Sequence, residues 1–399
     1  MTAEGLKNHP STRIHAIVLT KNRPETLQRC VSTALSSLGA QDMLTILDDS
    51  LATFCSANAG LLHMTPNVSP PTRVHLTMSC AQEVIVGSPS ILALGWLSKT
   101  ASRDIAPLRN ISLLLSAAVP AETTILIDDD IHSFDLVATH HRISALDRTR
   151  HGVIVGADIC GIDERDSVTR LTGAIDILEK LPLGAKAEFD KDLFYVPVSP
   201  YSGIERASRY VSGGYLAFRL PFERLFAFPP GYNEDWLWCL LHGRDVEVQI
   251  LLSGEAVIHD PPSVLIPNRE DFFFELVGDI VFKCLEELHG GMNLDPEAIL
   301  TDLSRQIPIA ATVPADRALM VLEKAQTLSQ NGGHLSALGE YGLTILADML
   351  RAGELNIDRS RVLIDWCDDA VAKQKSFAAT LHNQNTISTL RAVLQEKRI

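Results

Sequence analysis

AETTILIDDDIHSF, residues 121–134, runs from an apolar stretch straight into Asp128, Asp129 and Asp130. The β-branched and apolar residues TTILI (123–127) predict a buried strand. Three adjacent carboxylates repel one another. At the end of a buried strand they form either a solvated turn or a seat for something cationic, and the stretch alone leaves both open.

The neighbouring segments repeat the pattern. IHAIVL (14–19) predicts a strand that ends at Thr20-Lys21-Asn22-Arg23. Pro24 suits the first position of a helix and Glu25 its first turn, and RCVSTALSSL follows up to Gly39. MLTIL (43–47) predicts a strand ending in Asp48, Asp49 and Ser50. RVHLTM (73–78) predicts a third strand, PLRNISLLLSAAV (107–119) a helix, and GVIVGADI (152–159) a fifth strand after 123–127. This spacing points to a parallel sheet with helices on both faces. Ligands of such sheets bind beyond the carboxyl ends of the strands, where these polar residues collect.

Residues 160–210 read as a long loop. The histidines at 132, 140, 141 and 151 lie near the acidic turn and read as polar loop residues ahead of metal ligands. YVSGGYLAFR (210–219) returns to strand character around a Gly pair. A turn at Pro229–Gly231 leads into a helix near Asn233, and VEVQILLSGEAVIHDPP (246–262) gives two more strands. From about 269 the period changes to 3.6, with helical stretches at 272–291, 295–307, 315–333, 334–353 and 358–376. The domains expected are a polar arm over 1–12, an α/β domain over 13–268 and a helical region over 269–399.

Bulk properties exclude several classes. A chain of 399 residues with 46% hydrophobic and 21% charged residues is globular with a sizeable core. Its net charge of −14 argues against general affinity for nucleic acid or anionic membrane. The longest apolar stretch, VIVGSPSILALGWL (84–97), is shorter than the roughly 20 residues a bilayer needs. The polar N-terminus does not read as a signal peptide. Seven scattered cysteines without CxxC spacing suit free thiols, so a cytoplasmic protein is expected.

Each acidic pair has an ordinary reading and a chemical one. Asp128 to Asp130 serve a solvated turn, or Mg²⁺ or Mn²⁺, which take one or two carboxylates and complete their shell with water and phosphate oxygens. Asp48 and Asp49 serve a turn, or accept hydrogen bonds from a base or ribose. Lys21 and Arg23 serve a basic turn, or an anion at a helix start. Asn233, Glu234 and Asp235 cap a helix, or supply a general base. His259 is structural or a metal ligand. No P-loop, dinucleotide fingerprint, H-E-x-x-H or nucleophile elbow is present.

The order of VLTKNRPETLQRCVSTAL, LTILDDS, RNISLLLSAA, ILIDDD, SGGYLAFR, NEDW and HD resembles the glycosyltransferase-A fold, in particular family 2-like inverting enzymes, over residues 13–260. The resemblance implies a Rossmann-like mixed sheet flanked by helices and a nucleoside-diphosphate sugar as donor. Thr20, Asn22 and Arg23 would lie along the nucleotide, Asp48 or Asp49 on base or ribose, and Arg109 near the diphosphate or base. In the D-x-D motif Asp128 would touch ribose or sugar and the metal, Asp130 would hold Mn²⁺ or Mg²⁺ with His259, and Asp129 would tolerate replacement best. Gly213 and Gly214 would let backbone approach the donor or acceptor. Asp235 would be the base and Glu234 would bind hydroxyls. No Q-x-x-R-W follows NEDW, which weighs against a processive membrane synthase. Two rivals are a scaffold on a degenerate transferase domain and a sugar nucleotidyltransferase, whose Gly-rich opening VLTKNRP lacks. The helical region is open to carrying a dimer interface or a protein partner. The acceptor stays unidentified.

Overall fold

The computed structural model describes residues 12–63, 70–87, 95–97, 104–119, 121–146, 152–157, 159–162, 195–196, 206–207, 211–221, 225–242, 247–251, 257–261, 269–288, 314–330 and 337–399. The N-terminal arm, most of 160–210, His151 and the helix expected over 295–307 lie outside the described residues.

The strands β1 (Thr12–Thr20), β2 (Met43–Asp48), β3 (Thr72–Thr77) and β4 (Ala121–Asp128) are parallel neighbours in the order β3-β2-β1-β4. Registers Thr20↔Asp48, Asp48↔Thr77 and Leu19↔Asp128 bring four strand ends to one edge. Beyond β4 the sheet departs from the parallel arrangement that the spacing predicts. β10 (Tyr215–Arg219) runs antiparallel to both β4 and β6 (Val153–Ala157), and β11 (Glu247–Leu251) and β9 (Arg206–Ala207) complete eight strands among the described residues. The mixed sheet agrees with the glycosyltransferase-A resemblance. A second sheet orders β5 (Ile131–His132), β12 (Val257–His259), β7 (Ile159–Ile162) and β8 (Tyr195–Val196).

Strand period explains the two-sided core. Ile14, Ala16 and Val18 face one layer with Ile125 and Ile127; Ile17 and Leu19 face the other with Leu126. The first layer is covered by α1 (Pro24–Ser37), whose Leu27, Cys30, Val31, Ala34 and Leu35 recur at helical spacing, and by α5 (Leu136–Leu146). The other layer is covered by α3 (Met78–Val86) and the deeply buried α4 (Ala106–Ala118). Sequence period missed α3, α5 and α2 (Ala52–Leu61). His140 is correspondingly a buried helical residue, 2.9 Å from Thr123, and not a loop residue.

After α6 (Glu234–His242) come α7 (Arg269–Leu288), α8 (Pro314–Gln330), α9 (Ala337–Arg351), α10 (Arg359–Leu381) and α11 (Gln384–Glu396). They do not form one separate layer. Leu363, Trp366, Cys367 and Ala370 of α10 pack with α7, α8 and α9, whereas Phe377 and Leu381 enter the core under the sheet with Ile387, Leu390 and Leu394 of α11. The Ile399 N–H donates to the Arg73 carbonyl at 2.9 Å, so the chain ends alongside β3. The boundary near 268 therefore does not divide the cores. No helix among the described residues is long and apolar enough to cross a membrane.

His15 sits fully buried in β1, its Nε2 2.9 Å from Thr45 Oγ1. Burial pushes its pKa down to about 3. The folded chain holds it neutral, while the unfolded chain protonates it near pH 6.5. Stability is therefore intact above about pH 6.5 and falls as pH drops toward 3, by roughly 1.4 kcal/mol per unit. His15→Gln should remove about one proton from the slope of unfolding free energy against pH between 6 and 4. An unchanged slope in urea titrations would refute this assignment.

Candidate active site

The acidic turn is built by backbone before side chains. The Asp129 N–H donates to the Leu19 carbonyl at 3.1 Å, the Asp128 N–H to the Gly214 carbonyl at 3.0 Å, and the Asp260 N–H to the Asp130 carbonyl at 3.0 Å. β1, the Gly pair and the end of β12 thus meet at 128–130. Asn22, Ser133 and Asn233 are the described non-glycine residues with positive φ (58°, 61° and 63°), and each lies within three residues of a site motif. Asparagine tolerates that region through its short polar side chain.

The three acids have unequal surroundings. Asp129 is fully buried; Thr20 Oγ1 donates to it at 2.6 Å and Arg23 Nη2 lies 2.9 Å away. These contacts weigh against the expected tolerance of Asp129, because its replacement takes the acceptor from Thr20 Oγ1 and one of two carboxylates from Arg23. Thr20 and Arg23 are turned to this turn, with Arg23 Nη1 donating to Asp130 Oδ2 at 2.6 Å. Burial pushes Asp129 up to about 7 against the pull of Arg23. Asp130 moves the opposite way: burial raises its pKa, but the facing His259 and Arg23 outweigh that and hold it below the usual carboxylate range.

His259 reaches Asp130 because β12 pairs with β5, placing His259 opposite Ile131. Its Nε2 lies 3.5 Å from Asp130 Oδ1, long for a hydrogen bond. That buried oxygen has no hydrogen-bond partner among the described residues. Arg109 Nη2 lies 3.5 Å from Asp128 Oδ2, and among the described residues no three His, Cys, Asp or Glu side chains converge as a metal cluster. One carboxylate oxygen beside one imidazole nitrogen still suits a hard cation that completes its shell with water and phosphate.

Arg109 is the tie between motifs. From buried α4 its Nη1 reaches Glu234 Oε1 at 2.7 Å and Asp235 Oδ2 at 3.8 Å, and its guanidinium carbon lies 5.7 Å from the Phe228 ring centre. Burial would lower its pKa, but Glu234, Asp128 and Asp235 raise it, so the charge is retained. A Cβ at Gly213 would overlap this guanidinium, which is the physical need for glycine there. Gly214 packs near Ile131. The Gly213 N–H donates to Asp235 Oδ2, and the Trp236 N–H to Asp235 Oδ1. Asp235 is more open than Glu234, at 16% against 9% side-chain exposure. Burial pushes Glu234 up to about 8, against the downward pull of Arg109 and with Asp235 adding to the rise. Five carboxyl groups here share two guanidinium groups, an imbalance that attracts a cation.

Next to this cleft a cavity of about 500 Å³ is lined by Asp48, Asp49, Ser50, Cys55, Met78 and Gln82, with Leu97. Asp48 is held by the fold: it accepts from Ser50 N at 2.9 Å and Asn58 Nδ2 at 3.0 Å, with His75 Nε2 at 2.8 Å. Burial raises its pKa, but the bonds from His75, Ser50 and Asn58 win and hold it at about 2. Asp49 is left nearer the opening, 3.6 Å from Lys21. Asn22 ties the loops rather than facing the cavity, donating from N to Ser50 Oγ at 2.6 Å and accepting from Leu51 N at 2.8 Å. Sequence reasoning missed Asn58 and His75, which carry no motif. It also missed Asn110, whose neighbour Arg109 it had found. Trp238 is core, stacked on Phe228 at 4.5 Å.

No family model and no curated protein matches the chain. Solved structures that it resembles include S. aureus TarS 1-349 in complex with UDP-GlcNAc, at 14% identity over 92% of this chain and 91% of that one, with a TM-score of 0.42. A mannosyltransferase from Pyrobaculum calidifontis in complex with GDP-Man and Mn²⁺ is 14% identical over 97% and 86%, with a TM-score of 0.31. Glucosyl-3-phosphoglycerate synthase from Mycobacterium tuberculosis, in complex with Mn²⁺, UDP-glucose and phosphoglyceric acid, is 14% identical over 67% and 78%, with a TM-score of 0.38. Likenesses this remote assign no residue, and the reading of the site rests on its own geometry.

Proposed function

We propose that the protein is a metal-dependent glycosyltransferase that moves a hexose-type sugar from a nucleoside-diphosphate sugar to an acceptor hydroxyl, with inversion. The observation that carries this reading is the acid-rich cleft at the strand ends, tied together by Arg109 and opening beside a nucleoside-sized cavity. Asp130 and His259 would hold Mn²⁺ or Mg²⁺, which when bound supplies positive charge against the leaving diphosphate. Asp49 would accept hydrogen bonds from the base or ribose, on a turn that Asp48 keeps rigid. Asp128 would take ribose or sugar hydroxyls.

The reaction is one displacement. The acceptor oxygen bonds to the anomeric carbon as the bond to the diphosphate oxygen breaks, through an oxocarbenium-like transition state. Asp235 takes the acceptor proton, and Glu234, clamped by Arg109, steadies the helix start that presents it.

A melting panel of UDP-, GDP- and dTDP-sugars with and without Mn²⁺ tests this. One nucleotide series should stabilise the protein only with Mn²⁺, by about 2.7 kcal/mol at a hundredfold excess over Kd. Asp130→Asn should abolish the Mn²⁺-dependent shift. No shift with any donor would favour the scaffold reading.

A further inference from the structure

The catalytic acids sit on a helix whose approach segment, 225–233, is held by parts of the chain far away in sequence. From one side Asn110 of α4 brackets residue 228: Nδ2 donates to the Phe228 carbonyl at 3.2 Å, and the Phe228 N–H donates to Oδ1 at 2.6 Å. From the other side comes α10. Trp366 Nε1 donates to the Pro230 carbonyl at 2.8 Å, and the Ala227 N–H donates to Gln374 Oε1 at 2.7 Å. α7 closes the third side, where a Cβ on Gly278 would overlap the Tyr232 carbonyl. The segment then turns at Gly231 (φ +113°) and Asn233 (φ +63°) into Glu234 and Asp235.

We propose that Trp366 and Gln374 are positioning residues, and that α10 is a strut that sets where Asp235 stands relative to Arg109 and the donor. α10 suits a strut because its two ends are fixed in different cores. Leu363, Cys367 and Ala370 lock one end, and Phe377 and Leu381 lock the other. Trp366 and Gln374 lie two helical turns apart and meet the segment at residues 230 and 227, so the two bonds fix its direction as well as its distance. The helical region is in this way part of the catalytic apparatus and not an appendage. The inference rests on the functional reading above.

Trp366→Phe keeps the ring and deletes the donor; Gln374→Met keeps the length and deletes the acceptor; Gln374→Glu keeps an acceptor oxygen. Hydrogen exchange of the full-length proteins comes first. Exchange of the 225–233 amides should accelerate at least tenfold in Trp366→Phe/Gln374→Met, with the β1 and β4 amides unchanged. Turnover should then fall roughly ten- to a hundredfold, since a displacement near 1 Å costs that much. KM for the donor and the Mn²⁺-dependent binding of the free nucleotide should stay put, and Gln374→Glu should recover most of the turnover lost in Gln374→Met. Unaltered exchange in 225–233, or turnover that falls only in step with donor affinity, overturns the strut. Accelerated exchange in a protein whose wild type transfers no sugar supports the strut as structure and defeats the functional reading instead.

Discussion

Arg109→Met is expected to abolish sugar transfer and to cost on the order of 3–5 kcal/mol of stability, because breaking a buried ion pair from one side strands the other charge. Three carboxylates lean on this guanidinium, with Glu234 Oε1 at 2.7 Å, Asp128 Oδ2 at 3.5 Å and Asp235 Oδ2 at 3.8 Å. The Arg109 side chain is 4% exposed, so water cannot take over. Glu234, already pushed to about 8 by burial, would answer by holding its proton more firmly. Loss of the cation removes a downward pull on that pKa, so the variant's deficit should be largest at high pH and should shrink toward pH 5. Arg109→Lys separates charge from shape. It restores a cation but not the planar fork that addresses two motifs at once. It should recover part of the stability and little of the transfer. Urea unfolding at pH 5 and pH 8, beside a transfer assay, reads both. An Arg109→Met protein within 1 kcal/mol of wild type that still turns over would remove Arg109 from the centre of the site.

What could be read ahead of the structure follows from range. Strand ends are local: TTILI followed by three acids, or MLTIL followed by two, states a buried run and its exit in under ten residues. The parallel half of the sheet and its acidic edge were legible for that reason. The reversal at β10 was not, since nothing in YLAFR distinguishes a parallel from an antiparallel neighbour. α2 hid because its residues are small and its only buried member is Asn58. α5 hid because its histidines resemble a polar loop until His140 finds Thr123.

The site divides the same way. Residue types at strand ends were legible, but their assignments were not. Asp129 and Asp130 are adjacent in sequence and share Arg23, yet only the fold gives Asp129 the Thr20 hydroxyl and sets an oxygen of Asp130 beside His259. Asp48 reads as an acid at a strand end, and no motif announces the bonds that Asn58 and His75 make to it. The contacts of α10 span more than a hundred residues of sequence, a distance at which no motif speaks.

Asp235→Asn is the sharper test of mechanism. It should lower turnover by about 10²–10⁴, the usual worth of a general base, and leave nucleotide and Mn²⁺ binding intact. The substitution is nearly isosteric. Its remaining oxygen can still accept one of the two backbone donors, Gly213 N–H or Trp236 N–H, so the helix start is kept while the proton acceptor is lost. Glu234→Gln is the necessary companion. Glu234 is buried and faces Arg109, and burial raises its pKa against the pull of that guanidinium, so it is less available to an acceptor proton than the more open Asp235. Its replacement should disturb Arg109 and raise donor KM more than it lowers kcat. A protein in which Asp235→Asn transfers normally while Glu234→Gln is dead would exchange the two roles. The proton would then leave through the buried acid, and Arg109 would be the group that tunes it.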